Sequence, residues 1–304
     1  MTLLDGKVAI VTGAGHGIGR AHALELAKHG ARVVVNDLGT SVSGDGADQK
    51  AADLTVELIV QRGGEAVASY DDVADYDGAG RMVQLAVDTF GKLDVLVNNA
   101  GIVRDTAIWN MSEGDFDAVI RVHLKGTWAP SHHAARHWRE RAKNGEVFTG
   151  RVINTTSGAG LVGNFGQTNY ATAKAGIAGF TQTLSLELYK LGVTVNAVGP
   201  AAATRITGTM PGAPAVIEAD DVPEDEWNRM DPAVSSPLVA WLASDESQHL
   251  TGQVIRAVAE DIVWMQGWSE GPTISNGGQR WDAEKLGTQL ATDVFKTRAP
   301  GLRY

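Results

Sequence analysis

The 304-residue sequence contains no cysteine, which excludes disulfide bonds, thiolate metal sites and cysteine nucleophiles. Its first residues, "MTLLDGKVAIVTGAG", have neither a basic start nor a long apolar run before Gly13. We therefore expect no signal peptide and no membrane anchor, and we predict a cytoplasmic protein. We also predict no metal site.

Excess positive charge is lacking too, since the formal net charge is −10. This balance argues against general binding to nucleic acid or to an anionic membrane, although a local basic pocket stays open. The sequence shows no internal repeat and no low-complexity stretch. With 43% hydrophobic and 20% charged residues, it has the composition of a globular protein, and we predict a single domain over residues 1–304.

Seven short apolar runs rich in Val and Ile are present, and each precedes a longer segment with helical periodicity. They are 7–11, 32–36, 65–70, 93–99, 150–156, 193–198 and 252–258. Runs that are apolar throughout are typical of parallel strands covered by helices on both faces. The pattern predicts an α/β fold, a Rossmann-like doubly wound seven-stranded parallel sheet with helices on both faces.

Glycines punctuate this pattern. Gly30, Gly63 and Gly91 each precede a strand, where a helix commonly ends on a left-handed residue. The stretch 38–47, "LGTSVSGDGA", predicts a loop after the second strand.

A C-terminal extension, 259–304, follows a core of about 5–258. We expect it to be ordered, because Trp264, Trp268 and Trp281 are costly to expose. Packing against the core or another subunit, and a lid over the substrate, are the two interpretations of these tryptophans.

A glycine-rich turn, "TGAGHGIGR", follows the first strand. The spacing G-x-x-x-G-x-G is formed by Gly13, Gly17 and Gly19, after a strand and before a helix. Gly15 and Ile18 lie within the same turn and are also predicted to contact the cofactor. A pyrophosphate needs such a turn, with no side chains in its way and the N–H groups of a helix facing it. The turn therefore predicts a dinucleotide site.

Asp37 ends the second strand, where a carboxylate accepts hydrogen bonds from ribose hydroxyls and repels a 2′-phosphate. It favours NAD over NADP as the cofactor. The alternative is that Asp37 merely begins the following loop.

Tyr170 and Lys174 lie four residues apart in "GNFGQTNYATAKAG", on one face if the segment is helical. By itself this pair fits either a catalytic device or two residues of a surface helix.

Taken together, the motifs resemble those of the short-chain dehydrogenase/reductase family over about residues 5–258. They are "TGAGHGIG", "YDDV" at 70–73, "NNAG" at 98–101, Ser157 and Tyr170-x-x-x-Lys174. The segments "NDLG", "VHLKGT" and "GNFGQTNYATAK" are most similar to (3R)-hydroxyacyl-CoA dehydrogenase units of peroxisomal multifunctional enzymes and to actinobacterial enzymes of fatty-acid and steroid side-chain oxidation.

The resemblance implies roles for individual residues. Tyr170 exchanges a proton with the substrate oxygen, Lys174 lowers the tyrosine pKa and binds the nicotinamide ribose, and Ser157 holds that oxygen. The remaining cofactor-binding residues implied are Asp72, Val73, Asn98, Ala100, Gly101, Pro200 and Thr204. For "NNAG" the other interpretation is a strand end followed by a turn.

Two positions depart from the family pattern. His123 stands where many members have an Asn that completes a proton relay, and either relay or helix packing fits an imidazole there. Ala201 replaces a glycine in a loop expected to close over the nicotinamide. Beyond it, residues 205–230 predict a mobile substrate lid.

The predicted function is an NAD-dependent oxidoreductase that interconverts a secondary alcohol and a ketone, with a 3-hydroxyacyl-CoA as substrate. The alternatives are a free steroid alcohol, a 3-oxoacyl carrier protein or another small alcohol, and a non-catalytic NAD-binding sensor. Arg104, Arg205 and Arg229 are candidate cations for a CoA thioester. The resemblance also implies a homodimer or homotetramer, with the fourth and fifth helices at the dimer face.

Overall fold

The computed structural model describes residues 2–46, 48–209, 212, 214–223, 226–278 and 280–294. The expected lid and C-terminal extension therefore fall partly outside the described residues, as does Ala47 at the end of the loop after the second strand.

Eight strands form one sheet in the order β3-β2-β1-β4-β5-β6-β7-β8. They are β1 Val8–Thr12, β2 Arg32–Asn36, β3 Ala66–Ser69, β4 Val95–Asn98, β5 Gly150–Thr155, β6 Val193–Pro200, β7 Val254–Val258 and β8 Asp261–Met265. The first seven strands pair in parallel, which confirms the predicted Rossmann-like sheet. The eighth strand was not predicted, and it pairs antiparallel with β7.

Nine α-helices of the described chain connect and flank the strands. They are α1 Gly17–Lys28, α2 Lys50–Gln61, α3 Tyr76–Phe90, α4 Glu113–Ile120, α5 Gly126–Lys143, α6 Gly158–Val162, α7 Thr168–Leu188, α8 Ser236–Ala243 and α9 Ala283–Gln289. A π-helical turn, Arg121–Lys125, joins α4 to α5. Such turns occur often at functional sites.

The helix ends follow local sequence signals. Gly30, Gly63 and Gly91 have φ values of 94°, 83° and 83°, which confirms the predicted left-handed positions. At the start of α4, Ser112 and Asp115 form a reciprocal capping box. These signals fix where the connections leave the sheet edge.

Alternate residues of each central strand support the two faces of the sheet. In β1, Ala9 and Val11 belong to a core cluster that includes residues of α1, α2 and α8. Val8 and Ile10 belong to the opposite cluster, with residues of α3, α5 and α7. Because both faces are covered, the strand is apolar at every position, as the sequence indicated.

The chain divides into two compact units, 1–265 and 266–304. The boundary puts β8 with the sheet, beyond the expected core end at 258. The single domain over the whole chain stays a prediction.

Contrary to our expectation, the tryptophans of the C-terminal extension are exposed. Trp264 lies in β8 and is 61% exposed, Trp268 is 104% exposed and Trp281 is 41% exposed. The indole of Trp264 donates a hydrogen bond to Gln253 Oε1 at 2.9 Å. Among the described residues, none of these three rings is buried. Among the helices of the described residues, none combines the length and apolarity needed to cross a membrane.

Candidate active site

A cleft of about 530 Å³ opens at the carboxyl ends of the parallel strands. It lies where the strand order reverses, between β1 and β4, which is the position at which open α/β sheets bind ligands. Of the predicted site residues, the cleft is lined by Gly13, Gly17, Ile18, Gly19, Asp37, Asp72, Val73, Ala100, Gly101, His123, Ser157, Tyr170, Lys174, Pro200 and Thr204. Gly15 and Asn98 lie behind this surface.

The glycine turn is packed so closely that side chains would not fit. A Cβ on Gly13, where φ is 63°, would lie 2.7 Å from Ala100 Cα. A Cβ on Gly19 would lie 2.1 Å from the Gly13 carbonyl oxygen. In the described chain, no side-chain hydrogen bond caps α1 at His16. The amino end of α1 therefore lies at the cleft without a cap from His16, and its Gly17 N–H donates to the Glu218 carboxylate, which shows that this position accepts an anion.

Asn99 holds this turn in place, a role that the sequence did not reveal. Its Nδ2 donates to the carbonyl oxygens of Thr12 and Gly13 at 3.0 and 3.2 Å. Its neighbour Asn98 points into the sheet and donates to Ser131 Oγ at 3.0 Å and Asn154 Oδ1 at 2.9 Å. Asn98 thus supports the floor of the cleft from below, and Asn99 lines it.

The Asp37 carboxylate is held by two backbone groups. Gly15 N–H donates to Oδ2 at 2.8 Å and Gly39 N–H donates to Oδ1 at 2.7 Å. A Cβ on Gly15 would lie 2.7 Å from Oδ2. Gly15 therefore acts by admitting the carboxylate, and the carboxylate lines the cleft in a fixed orientation.

Asp72 and Val73 occupy the next part of the wall. Asp72 Oδ1 accepts a hydrogen bond from Ala74 N–H at 2.8 Å, and its Oδ2 pairs with Arg121 at 2.5 Å. Arg121 comes from the π-helical turn and lines the cleft, a position that no motif in the sequence predicted. Val73 is buried against Gly126, where a Cβ would approach within 2.6 Å of Val73 Cγ2.

Ser157, Tyr170 and Lys174 meet at the end of β5. Ser157 caps α6, and its Oγ accepts from Ala159 N–H at 3.3 Å. Tyr170 and Lys174 are one turn apart on α7, with Lys174 Nζ 5.6 Å from the Tyr170 ring centroid. The ammonium of Lys174 donates to the Thr155 carbonyl at 2.7 Å, so the side chain is fixed below the tyrosine.

A glycine allows the two helices of this site to touch. A Cβ on Gly160 would lie 2.6 Å from the backbone and Cβ of Lys174. The small residue therefore lets α6 pack directly on α7, which brings Ser157 to the tyrosine.

Burial dominates the ionisation of the pair. It raises the pKa of Tyr170 to about 12, while a hydrogen bond with Ser157 lowers this pKa and the charge of Asp105 raises it. Burial also lowers the pKa of Lys174 to about 7. No effect of Lys174 on the Tyr170 pKa is resolved, so that effect stays a prediction, and Tyr170 is a protonated phenol at neutral pH.

His123 lies beside the tyrosine in a T-shaped contact, with ring centroids 5.1 Å apart. Its Nε2 lies 2.7 Å from the Ile102 carbonyl oxygen, and Nδ1 has no hydrogen-bond partner among the described residues. Burial and the charge of Lys174 lower the His123 pKa to about 3, so the imidazole is neutral. Relay and packing both remain compatible with this geometry.

The strand β6 ends at Pro200, and the chain then crosses the cleft. Thr204 Cγ2 would lie 3.1 Å from a Cβ on Gly17, so this threonine packs over the glycine turn. Ala201 lines the cleft, and among the described non-glycine residues only Ala259 has a positive φ. The alanine therefore replaces glycine without backbone strain.

A carboxylate from the expected lid segment reaches the start of α1. Glu218 Oε2 accepts from Gly17 N–H at 3.1 Å, and Oε1 lies 3.3 Å from His16 Nδ1. Burial raises the pKa of Glu218, but these contacts and the charge of Arg20 outweigh it and lower the pKa to about 2. This contact was not predictable from local sequence patterns, because some 200 residues separate its partners.

The cleft contains no candidate metal centre. Within the described ranges, no three His, Asp or Glu side chains are arranged to hold an ion. A glycine turn after β1, a carboxylate after β2 and a Ser-Tyr-Lys group in one cleft are the features of an alcohol–ketone oxidoreductase that uses a nicotinamide cofactor.

Comparison with known proteins gives the same class. The family model for short chain dehydrogenases matches residues 7–211. The chain belongs to this family and is an oxidoreductase that acts on CH–OH groups. A short chain dehydrogenase from Mycobacterium avium has a similar structure, with a TM-score of 0.86, 50% identity and 98% of each chain covered.

Two curated proteins are similar to this chain over most of its length. Hydroxyacyl-CoA dehydrogenase ChsB1 of Mycobacterium tuberculosis is 39% identical over 305 residues, which cover 98% of this chain and 92% of the relative. Peroxisomal multifunctional enzyme A of Dictyostelium discoideum is 46% identical over 246 residues, which cover 81% of this chain. The chain spans only 26% to 51% of the length of four such peroxisomal relatives.

Proposed function

We propose that this protein is an NAD-dependent dehydrogenase that interconverts 3-hydroxyacyl and 3-oxoacyl thioesters of CoA. The observation that carries the proposal is the convergence of Ser157, Tyr170 and Lys174 in the same cleft as the glycine turn. The names of the relatives, which include hydroxyacyl-CoA dehydrogenase, support the substrate class.

The residues of the cleft fit a nicotinamide dinucleotide. The close approach of Gly13 to Ala100 leaves a side-chain-free surface for a pyrophosphate, and Asp37 offers carboxylate oxygens to a ribose. When bound, the nicotinamide exchanges a hydride with the carbon that bears the substrate oxygen. Lys174, whose Nζ is fixed on the Thr155 carbonyl, contributes a nearby cation and a donor.

The proton is handled by the protein side chains. Ser157 donates a hydrogen bond to the substrate oxygen, and the Tyr170 hydroxyl exchanges a proton with it. Because Tyr170 is protonated at neutral pH, it is ready to donate in the direction of ketone reduction. Alcohol oxidation needs the phenolate, and the protonated form of Lys174, whose pKa burial lowers to about 7, stabilises that charge. We propose His123 as a neutral neighbour that keeps this tyrosine ring in position.

The preference for NAD over NADP rests on Asp37. Both of its oxygens are held by backbone N–H groups, so the carboxylate is unable to swing away from a 2′-phosphate. The charge it places at that point disfavours the extra phosphate of NADP.

The cations of the cleft support an anionic substrate. Arg205 lines the cleft, whereas Arg104 pairs with Asp45 and Asp115, and Arg229 is exposed outside the cleft. Of the three arginines named from the sequence, Arg205 is therefore the one we propose for a CoA thioester. Free steroid alcohols, 3-oxoacyl carrier proteins and other small alcohols are the alternative substrates for the same chemistry.

The oligomeric state and the cytoplasmic location stay predictions. Exposed aromatic side chains on the fourth and fifth helices, Phe116 of α4 at 36% and Trp128 of α5 at 41% exposed, support a homodimer or homotetramer that uses this face. Analytical ultracentrifugation of the purified protein tests this, and a monomer at micromolar concentration would contradict it.

The substrate is tested by NADH formation with purified protein. Matched 3-hydroxyacyl-CoA esters, acyl-carrier-protein esters and steroid alcohols are compared at equal concentration, with NAD and with NADP. We expect the highest kcat/KM with a CoA ester and NAD. A failure to form NADH with any thioester contradicts the proposed substrate class. Cofactor binding without turnover of any substrate contradicts the catalytic role.

A further inference from the structure

Arg256, on strand β7, lies in the same cleft as Ser157, Tyr170 and Lys174. Arg256 pairs in register with Gly199 of β6, and it lines the cleft. A Cβ on Gly199 would lie 3.2 Å from Arg256 Cγ and 3.9 Å from Ser157 Cα. The alkyl stem of the arginine therefore runs directly beside the catalytic serine.

The guanidinium continues past Ser157 to the start of α6. A Cβ on Gly158 would lie 3.1 Å from Arg256 Nη2 and 3.3 Å from Cζ. Glycine at this position thus provides the space that the guanidinium occupies. The side chain therefore passes Gly199 of β6 and then Gly158, the residue that follows Ser157.

This guanidinium has no protein partner. The Arg256 side chain makes no hydrogen bond or ion pair with any described residue, and its buried Nε is unsatisfied. Arg121, another arginine of the cleft, is by contrast paired with Asp72. An unpaired, partly desolvated guanidinium is costly, and that cost is relieved when a ligand oxygen accepts from it.

We propose that Arg256 binds the thioester carbonyl oxygen of the substrate and thereby selects 3-hydroxyacyl thioesters over simple secondary alcohols. This inference rests on the proposed function. The carbonyl lies two carbons from the carbinol held by Ser157, which matches the position of the guanidinium beside that serine. The phosphates of CoA are separated from the thioester by the whole pantetheine arm, so a group next to Ser157 is unsuited to them.

The test compares wild type with R256M on three substrates, by NADH formation. They are 3-hydroxybutyryl-CoA, its N-acetylcysteamine thioester, and a thioether in which a methylene replaces the thioester carbonyl. We expect R256M to lower kcat/KM about ten- to hundred-fold with both thioesters, as the loss of a charge-assisted hydrogen bond predicts. The thioether is expected to react equally with both proteins.

Each other outcome contradicts the inference in a recognisable way. An equal loss with the thioether means that the arginine supports the whole site, and a loss with the CoA ester alone means that it reads a phosphate. Wild type that oxidises the thioether but no thioester refutes the proposed function itself. Unchanged thioester activity in R256M refutes the inference while the function stands.

Controls separate recognition from folding. R62M makes the same change at the exposed end of α2, and we expect it to match wild type. Thermal denaturation and NADH binding check that R256M is folded. If it is not, R256K keeps the stem and charge but loses the guanidinium fork, and we expect a smaller loss with the same substrate pattern. Wild-type activity of R256K with both thioesters contradicts the inference.

Discussion

Replacement of Asp37 by alanine tests how the cleft selects its cofactor. The carboxylate is fixed by the N–H groups of Gly15 and Gly39, at 2.8 and 2.7 Å, so it acts as an oriented charge. Losing one charge-assisted hydrogen bond to the ribose weakens NAD binding by about 2 kcal/mol.

The same change removes a repulsion. A carboxylate and a 2′-phosphate about 5 Å apart at an effective dielectric of about 20 repel by about 3 kcal/mol, and salt reduces this by roughly half. The two effects add to about 3.5 kcal/mol, which is a change of roughly 300-fold in the ratio of kcat/KM with NAD to that with NADP.

The assay is the initial rate of alcohol oxidation by D37A and wild type with each cofactor at about 0.1 M salt, where the screening assumed above applies. D37N separates the two effects, because it keeps one acceptor oxygen while removing the charge. D88A, which removes an exposed carboxylate of α3, is the matched control. A wild type that prefers NADP, or a D37A ratio within a few-fold of wild type, refutes the reasoning.

Four further changes have defined outcomes. H123A should lower turnover without loss of NAD binding, because it removes the ring that contacts Tyr170; H123N should be tolerated if His123 acts as a relay and should not if it acts by packing, and unchanged kcat in H123A rejects both roles. Because Tyr170 has a raised pKa, oxidation should accelerate and reduction should slow as pH increases from 6 toward 10, and parallel profiles would contradict the assignment. E218Q should cost about 2 kcal/mol of unfolding free energy at pH 7, measured in urea. The pKa of Glu218 in the folded protein, about 2, lies below the usual glutamate value of 4.5, so the stability difference between E218Q and wild type should shrink as pH falls below 4.5. A difference that does not depend on pH would argue against the contact. G19A should abolish cofactor binding and lower the Tm, since its Cβ would lie 2.1 Å from a carbonyl oxygen, whereas G179A, with no described atom within 4 Å of its Cβ, should bind normally.

The parallel sheet was predictable because each strand is buried on both faces. Val8 and Ile10 face one core cluster and Ala9 and Val11 face the other, so the strand reads as an unbroken apolar run. Strand β8 lacks this signal, since most of its residues are exposed at the sheet edge. Its hairpin connection is Ala259 and Glu260, and Ala259 has a φ of 50°. Two-residue hairpin turns usually contain Asn-Gly or Asp-Gly, and Ala259-Glu260 contains neither, so the local sequence did not predict this hairpin.

The residues of the cleft divide in a similar way. Motifs within one turn or one helix, such as the glycines of 13–19 or Tyr170 and Lys174, carry their geometry in their spacing. Arg256 lines the cleft from β7, and Glu218 contacts Gly17 at the start of α1 from a loop far along the chain, so neither position follows from local spacing. The pKa of Tyr170 is likewise set by burial, which spacing does not encode.

The central claim is that the Tyr170 hydroxyl exchanges the proton of the substrate oxygen. It is tested most directly by Y170F, which removes one oxygen atom and keeps the ring that packs against His123. Single-turnover hydride transfer with 3-hydroxybutyryl-CoA should slow by at least about 100-fold, with cofactor affinity and Tm near those of wild type. Hydride transfer at the wild-type rate in Y170F would contradict the account.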